Sequence, residues 1–178
     1  MDELTAVMAA NMQIFYRDGR EISRWFYNDN GTIKKEGKKI TGIVRMYHPG
    51  GLLASEMAYK NGELNGRYLL LSTEGKIEEE GSFKNNELHG SWKQFSELAA
   101  VKIEGTYKDG KRNGIFKLFY PTGMLQEEEI YANGQLDGYV RDYFETGRLE
   151  TEAFYRKGKL LMLREFDPGG ALKKEEKY

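Results

Sequence analysis

The chain has 178 residues, 39% of them hydrophobic and 31% charged, enough apolar material for one ordinary globular domain and too much for a disordered one. Its 27 basic and 28 acidic side chains are interspersed and leave a net charge of -1, so there is no broad footprint for nucleic acid or anionic lipid. Cysteine is absent, which removes disulfides, thiolate catalysis and zinc-thiolate sites together.

The opening MDELTAVMAANM is acidic where a secretory leader would be basic, and Asn11 interrupts its apolar stretch, so residues 1–11 are read as a leader segment without a signal peptide. The expected compartment is the cytoplasm, with export after removal of a leader as the alternative. One repeat domain is expected over 12–178. Its first part, 12–41, is atypical: Tyr27, Gly31 and Glu36 keep the spacing of Tyr47, Gly51 and Glu56, but the next turn is four residues short before Gly42. From 42 to 161 the period is strict. Gly42, Gly66, Gly90, Gly114 and Gly138 stand 24 residues apart, as do Glu56, Glu80, Glu104, Glu128 and Glu152. The aromatics Tyr59, Phe83, Tyr107, Tyr131 and Tyr155 keep the same interval, as do the aliphatics Leu53, Ile77, Val101, Leu125 and Leu149. Residues 162–178 end the array one residue short, with Met162 where the glycine belongs, as befits a terminal unit with one neighbour. The longest apolar runs, Tyr68–Leu71 and Leu160–Leu163, fall far below the roughly 20 residues that span a bilayer, so no transmembrane segment is expected.

Apolar residues alternate over short runs such as GSWKQF and GIFKLF, which is a strand period. Asn61-Gly62, Asp109-Gly110 and Asn133-Gly134 are two-residue type I′ turns, with Asn85-Asn86 and Lys157-Gly158 as weaker versions. A two-residue loop implies a straight hairpin, with Lys84 opposite Glu87, Phe83 opposite Leu88, and Gly81 opposite Gly90. The register of the longer connections follows from charge: with 69 facing 80, Arg45 meets Glu56, Lys93 meets Glu104, Lys117 meets Glu128 and Arg141 meets Glu152, and only Leu69 against Glu80 breaks the rule. The same register lays Tyr68 over Gly81 and Trp92 over Gly105. One face then carries the repeat aromatics, the aliphatic column and Tyr68, Trp92 and Phe116. The other carries the glutamates, their basic partners and a lone apolar column, Tyr47, Leu71, Phe95, Phe119 and Tyr143. The fold expected is all-β: a single elongated, curled antiparallel meander of tandem hairpin repeats, an open array of about fourteen strands at about two per repeat, bending where glycines oppose one another across each hairpin.

The pattern Gly-x-aromatic-x-x-aromatic, then Gly-x-aliphatic-x-x-Glu-x-x-aromatic-x-Asn-Gly-x-Leu-x-Gly, resembles the MORN repeat and more closely its bacterial variant, which occurs also in proteins described as toxin–antitoxin components. The resemblance runs from about Phe15 to Tyr178. It implies a hairpin array used for binding or as a scaffold.

No catalytic residue, metal site or cofactor is expected. His48 and His89 stand alone in turns, and the glutamates repeat at the structural period beside basic partners, which marks surface ion pairs. A carbohydrate-directed enzyme would need two carboxylates in one cleft outside that ladder. Asn28 begins an NDNG stretch that lacks the spacing of a calcium loop. The candidate partner-binding stripe is Tyr47, Leu71, Phe95, Phe119 and Tyr143, flanked by Arg45, Lys93, Lys117 and Arg141; the competing reading is that this column shields the sheet under neighbouring long side chains. The function expected is a non-catalytic protein-interaction scaffold, in its specific form an antitoxin-like binder of a protein toxin, with a peripheral phospholipid head-group module as the alternative. Exposed end strands offer a route to self-association.

Overall fold

The computed structural model describes residues 4–9, 12–18, 20–27, 33–35 and 37–178; Asn28, Gly31 and Glu36 of the first repeat lie outside them. All regular elements among the described residues are strands, 18 of them, and the chain packs as two compact units, Met1–Glu87 and Leu88–Tyr178.

The first unit contains β1 (Leu4–Ala9), β2 (Met12–Arg17), β3 (Arg20–Tyr27), β4 (Ile33–Lys35), β5 (Gly42–Tyr47), β6 (Leu53–Lys60), β7 (Glu63–Leu71) and β8 (Ile77–Lys84). Residues 4–9, inside the segment read as a leader, are thus a strand. β1 runs antiparallel to β2 and parallel to β5, setting Leu4 beside Val44, so the meander carries one parallel pairing that the repeat pattern does not announce. This insertion assembles a core of Leu4, Ala6, Phe15, Trp25, Ile40 and Val44, against which Tyr59 packs with its ring centroid 5.9 Å from Phe15 and 6.1 Å from Trp25. Ser23 Oγ closes the core by donating to the Lys38 carbonyl at 2.8 Å.

After β9 (Glu87–Leu88), the second unit is a sequential antiparallel meander. Its strands are β10 (Gly90–Phe95), β11 (Val101–Lys108), β12 (Lys111–Arg112), β13 (Gly114–Phe119), β14 (Leu125–Ala132), β15 (Gln135–Tyr143), β16 (Leu149–Arg156), β17 (Lys159–Phe166) and β18 (Leu172–Lys177). Its apolar face is a run of rings: Trp92 to Tyr107 at 5.8 Å, Tyr107 to Phe116 at 5.3 Å and Phe116 to Tyr131 at 5.5 Å. Phe116, 2% exposed, is the centre of that run. The strand count exceeds fourteen because β1 is added and because some second strands of a hairpin break in two, as β12 and β13 do.

That break has one cause. The turns are type I′ as expected, with positive φ at both central residues of Asn61-Gly62, Asn85-Asn86, Asp109-Gly110, Asn133-Gly134 and Lys157-Gly158. The straight register beyond them is not what forms. In β6 and β7, Lys60 faces Glu63 and Tyr59 faces Leu64, but Met57 then faces Tyr68, a slip of two residues that sets 65–67 against Ala58 alone. β14 and β15 slip likewise between Tyr131↔Leu136 and Glu129↔Val140, and β11 does so between Arg112 and Lys117. The glycine sits in the middle of each slip. Gly66, Gly114 and Gly138 have φ of +120°, +100° and +142°, and a Cβ on them would lie 2.9, 2.7 and 2.9 Å from the Ala58, Thr106 and Ile130 side chains. At Gly114, where straight pairing would set it against Gly105, a bulge instead brings the glycine against the Thr106 side chain at close range.

The longer connections carry the register read from charge. Arg45 faces Glu56, Leu69 faces Glu80, Lys93 faces Glu104, Lys117 faces Glu128 and Arg141 faces Glu152; Tyr68 lies opposite Gly81 and Trp92 opposite Gly105. Where Leu69 breaks the charge rule, Arg67 reaches Glu80 diagonally at 2.9 Å. In the second unit the alternation becomes continuous: Arg141 holds Glu152 at 2.8 Å and Glu128 at 3.6 Å, while Arg164 holds Glu152 at 3.5 Å and Glu175 at 3.0 Å. Hydrogen bonding to Glu152 raises the Arg141 pKa above the ordinary arginine value.

Each longer turn among the described residues is closed by the same two backbone bonds, as in Tyr120 N–H to the Met124 carbonyl and Gly123 N–H to the Tyr120 carbonyl, both 2.8 Å. The fourth residue of each such turn among the described residues is left-handed: Gly51, Gly75, Gly123, Gly147 and Gly170, but Ala99 at φ 60°. Ala99→Gly is expected to stabilise the protein by up to about 1 kcal/mol in urea unfolding, since an L-residue there carries a cost of roughly 1–2 kcal/mol that glycine's extra chain entropy only partly offsets. Glu152→Ala, which leaves two arginines without their shared carboxylate, is expected to cost about 1 kcal/mol in the same measurement.

Candidate functional site

The column Tyr47, Leu71, Phe95, Phe119, Tyr143 is not a lone one. At the end of each link a bulge sets two residues against one: after Gln94↔Ile103 comes Phe95↔Val101, and Lys102 is left over. The same step pairs Tyr47 with Leu53, Leu71 with Ile77, Phe119 with Leu125 and Tyr143 with Leu149. Directly opposed residues point to one side of a sheet. The aliphatic column therefore joins the stripe on the glutamate side instead of the aromatic side, a correction that straight alternation could not supply. Tyr47 is 44% exposed; Leu71, Phe95, Phe119 and Tyr143 are half-buried.

The ladder engages Arg45, Lys93 and Arg141, and Lys117 stands opposite one of its glutamates. Arg45 donates from Nε to Glu56 at 3.0 Å, Lys93 lies 3.2 Å from Glu104, Arg141 is shared between Glu128 and Glu152, and Lys117 faces Glu128. They brace the sheet beside the stripe.

Neighbouring link turns within a unit are tied together where the first or the last residue of the turn is long. His48 Nε2 lies 3.0 Å from the Leu71 carbonyl, and Tyr120 Oη donates to the Tyr143 carbonyl at 2.7 Å. Arg148 reaches the Pro168 carbonyl at 2.6 Å. At 96–100 the tying positions hold Ser96 and Ala100, too short for such a reach. Between that turn and the next a groove of about 590 Å³ opens, walled by Phe95, Val101, Leu118, Phe119, Tyr120 and Pro121. Of the candidate stripe, the structure brings Phe95 and Phe119 together in this groove, whereas Tyr47 and Leu71 belong to the other unit. The groove can take an apolar side chain in an apolar-walled slot.

A second cleft, about 230 Å³, lies on the aromatic side and holds Arg112, Phe116, Glu127 and Glu129. Two carboxylates outside the ladder thus share one cleft. Arg112 is 3.2 Å from Glu129 and 2.9 Å from the Tyr131 hydroxyl, with its guanidinium 4.7 Å from the centre of the Phe116 ring. Glu127 directly faces Asp142. Burial, then the nearby Glu129 and Asp142 charges, push the Glu127 carboxyl above its usual range. The cleft is smaller than the roughly 300–1,000 Å³ of ordinary ligand pockets, and Arg112 with Tyr131 occupies one of its two carboxylates. Glu129 stands where the sister copies have Gly81 and Gly105, so only a column-breaking residue could have signalled it.

Both histidines serve turns: His48 as above, and His89 by accepting the Asp109 N–H on Nδ1 at 3.5 Å. No helix among the described residues is long and apolar enough to cross a membrane. The edge strand β18 carries Lys174 3.1 Å from Glu176 and Lys177 3.4 Å from Glu175, charges of the kind that blunt strand-to-strand association.

No curated protein matches the chain. Residues 112–135 match the family model of the MORN repeat variant, a non-enzymatic repeat module of binding proteins. That stretch is one period of the columns that recur through the chain, which supports reading the array as repeats of this variant.

Proposed function

We propose that the chain is a non-catalytic scaffold that presents the stripe of its second unit to a protein partner, in its specific form an antitoxin-like protein that neutralises a cytoplasmic toxin by direct binding. The observation that carries this reading is the groove walled by Phe95 and Phe119, open where the neighbouring link turn is tied. An apolar slot beside balanced, internally satisfied charges suits a protein surface. It suits a phospholipid head group poorly, because Arg45, Lys93 and Arg141 already hold carboxylates.

The test is the pair Phe95→Ser and Phe119→Ser together. Near-UV circular dichroism should keep its native form, with a stability loss below about 3 kcal/mol, while a protein retained from native-host lysate by the parent chain is no longer retained by the variant. Co-expression with that protein, if it is a toxin, should rescue growth with the parent chain only. Unfolding of the variant, or retention of the same proteins by both, would instead make the column structural.

The same reading treats Glu127 as a burden on the fold. Its folded pKa is raised, so its destabilising effect is present above the carboxylate range and vanishes as pH falls below the unfolded value. Glu127→Gln, which also relieves the opposition to Asp142, is expected to raise stability by roughly 0.5–1 kcal/mol at neutral pH, with the gain disappearing in acid when thermal midpoints are compared across pH.

A further inference from the structure

The groove between turns 96–100 and 120–124 is apolar in its walls but not along its border. Phe95, Val101 and Phe119 form the slot, and Gln94, Lys102 and Gln126 edge it. Lys102 and Gln126 are the residues left over at two successive link bulges, beside Phe95↔Val101 and Phe119↔Leu125. The irregularity that brings the aliphatic column into the stripe thus also delivers these two polar groups. In the other links between 42 and 161 the left-over residue is Ala54, Glu78 or Glu150, so a base stands at this position in one copy alone.

The border groups are uncommitted. Lys102 is exposed and holds no carboxylate among the described residues, unlike the ladder bases Lys93 and Arg141. Glu97, the other charge lining the groove, is already engaged within the chain. Gln94 and Gln126 are half-buried, and their carboxamides bond no other described residue. Each carboxamide offers donors and an acceptor, the complement of a peptide group. The slot, about 590 Å³, lies within the roughly 300–1,000 Å³ of ordinary binding pockets and takes an apolar side chain out of water. An unpaired ammonium beside it favours a carboxylate and disfavours a second base.

We propose that the groove takes an extended acidic segment of a protein partner. An aromatic or aliphatic side chain of that segment enters between Phe95 and Phe119, its backbone amides meet Gln94 and Gln126, and a neighbouring carboxylate pairs with Lys102. The proposal rests on the scaffold reading and names the chemistry of the partner that the scaffold receives.

Nuclear magnetic resonance of the isotopically labelled full chain tests it. The probes are three pools of end-capped hexapeptides whose two central residues are Leu or Phe and whose flanking residues are all Asp, all Asn or all Lys. The Asp pool should shift the amide signals of 94–102 and 118–126, bind about threefold more tightly than the Lys pool or better, and lose that margin as salt rises. Lys102→Glu, at a site with no ion pair to lose, should keep the thermal midpoint and reverse the order of the pools. Equal binding of all pools, or an order that Lys102→Glu leaves unchanged, would overturn the acidic assignment while leaving the scaffold reading in place, since retention from lysate decides that separately. Absence of shifts with every pool would overturn it as well. So would the same shifts on raising the chain's own concentration without peptide, which would give the groove to a second copy.

Discussion

Three residues of one strand held against a single residue of its partner, with a glycine in the middle, is the contact on which the second unit depends. At Gly114 and Gly138 the backbone adopts φ of +100° and +142° and passes so close to Thr106 and Ile130 that a Cβ would collide. The slip this produces carries the following strand two residues along. Without it Glu128 would face Tyr139; with it Glu128 faces Arg141. The link side of each strand is already aligned by charge, so the slip places a base between two glutamates and a glutamate between two bases. In the last repeat Met162 takes the glycine's place, the chain is one residue shorter, and the slip falls to one residue, yet Arg164 still arrives opposite Glu152. What the repeats hold constant is the charge register, and residue count adjusts to it.

This explains which parts of the fold could be read from sequence. The two-residue turns follow from Asn, Asp and Gly, which tolerate positive φ. The link register follows from charge because one offset alone sets Arg45, Lys93, Lys117 and Arg141 against glutamates. The bulges could not be read the same way, since a known turn implies straight pairing and nothing in 65–67 or 102 announces an extra residue. One bulge turns the rest of a strand over, so straight alternation puts Val101 and its equivalents on the aromatic face while the bulge puts them opposite the stripe. β1 was hidden for a different reason: LTAVMA has no alternation to mark a strand, and its parallel partner β5 lies well downstream.

The candidate stripe was legible residue by residue, whereas the groove within it was not. Columns reveal what repeats, and the groove comes from residues that break columns. His48, Tyr120 and Arg148 tie their turns to the next by reaching a backbone carbonyl; Ser96 and Ala100 cannot reach one. Ala99 in a left-handed position otherwise filled by glycine belongs to the same turn, as does Leu98 at its tip.

A strictly periodic surface is a poor binding surface, because a partner that fits one repeat fits its neighbour equally well and slides between registers. Specificity requires one place that differs. In the second unit the ladder of Glu128, Arg141, Glu152, Arg164 and Glu175 is uniform and internally satisfied, so it offers a rigid support with no preferred address. The turn at 96–100 breaks that uniformity: Ser96 and Ala100 are too short to reach the next turn as His48, Tyr120 and Arg148 do, Leu98 is exposed and Ala99 is left-handed. An opening between Phe95 and Phe119, with strands in the ladder's register on both sides, would give a partner of the kind proposed a single position to occupy.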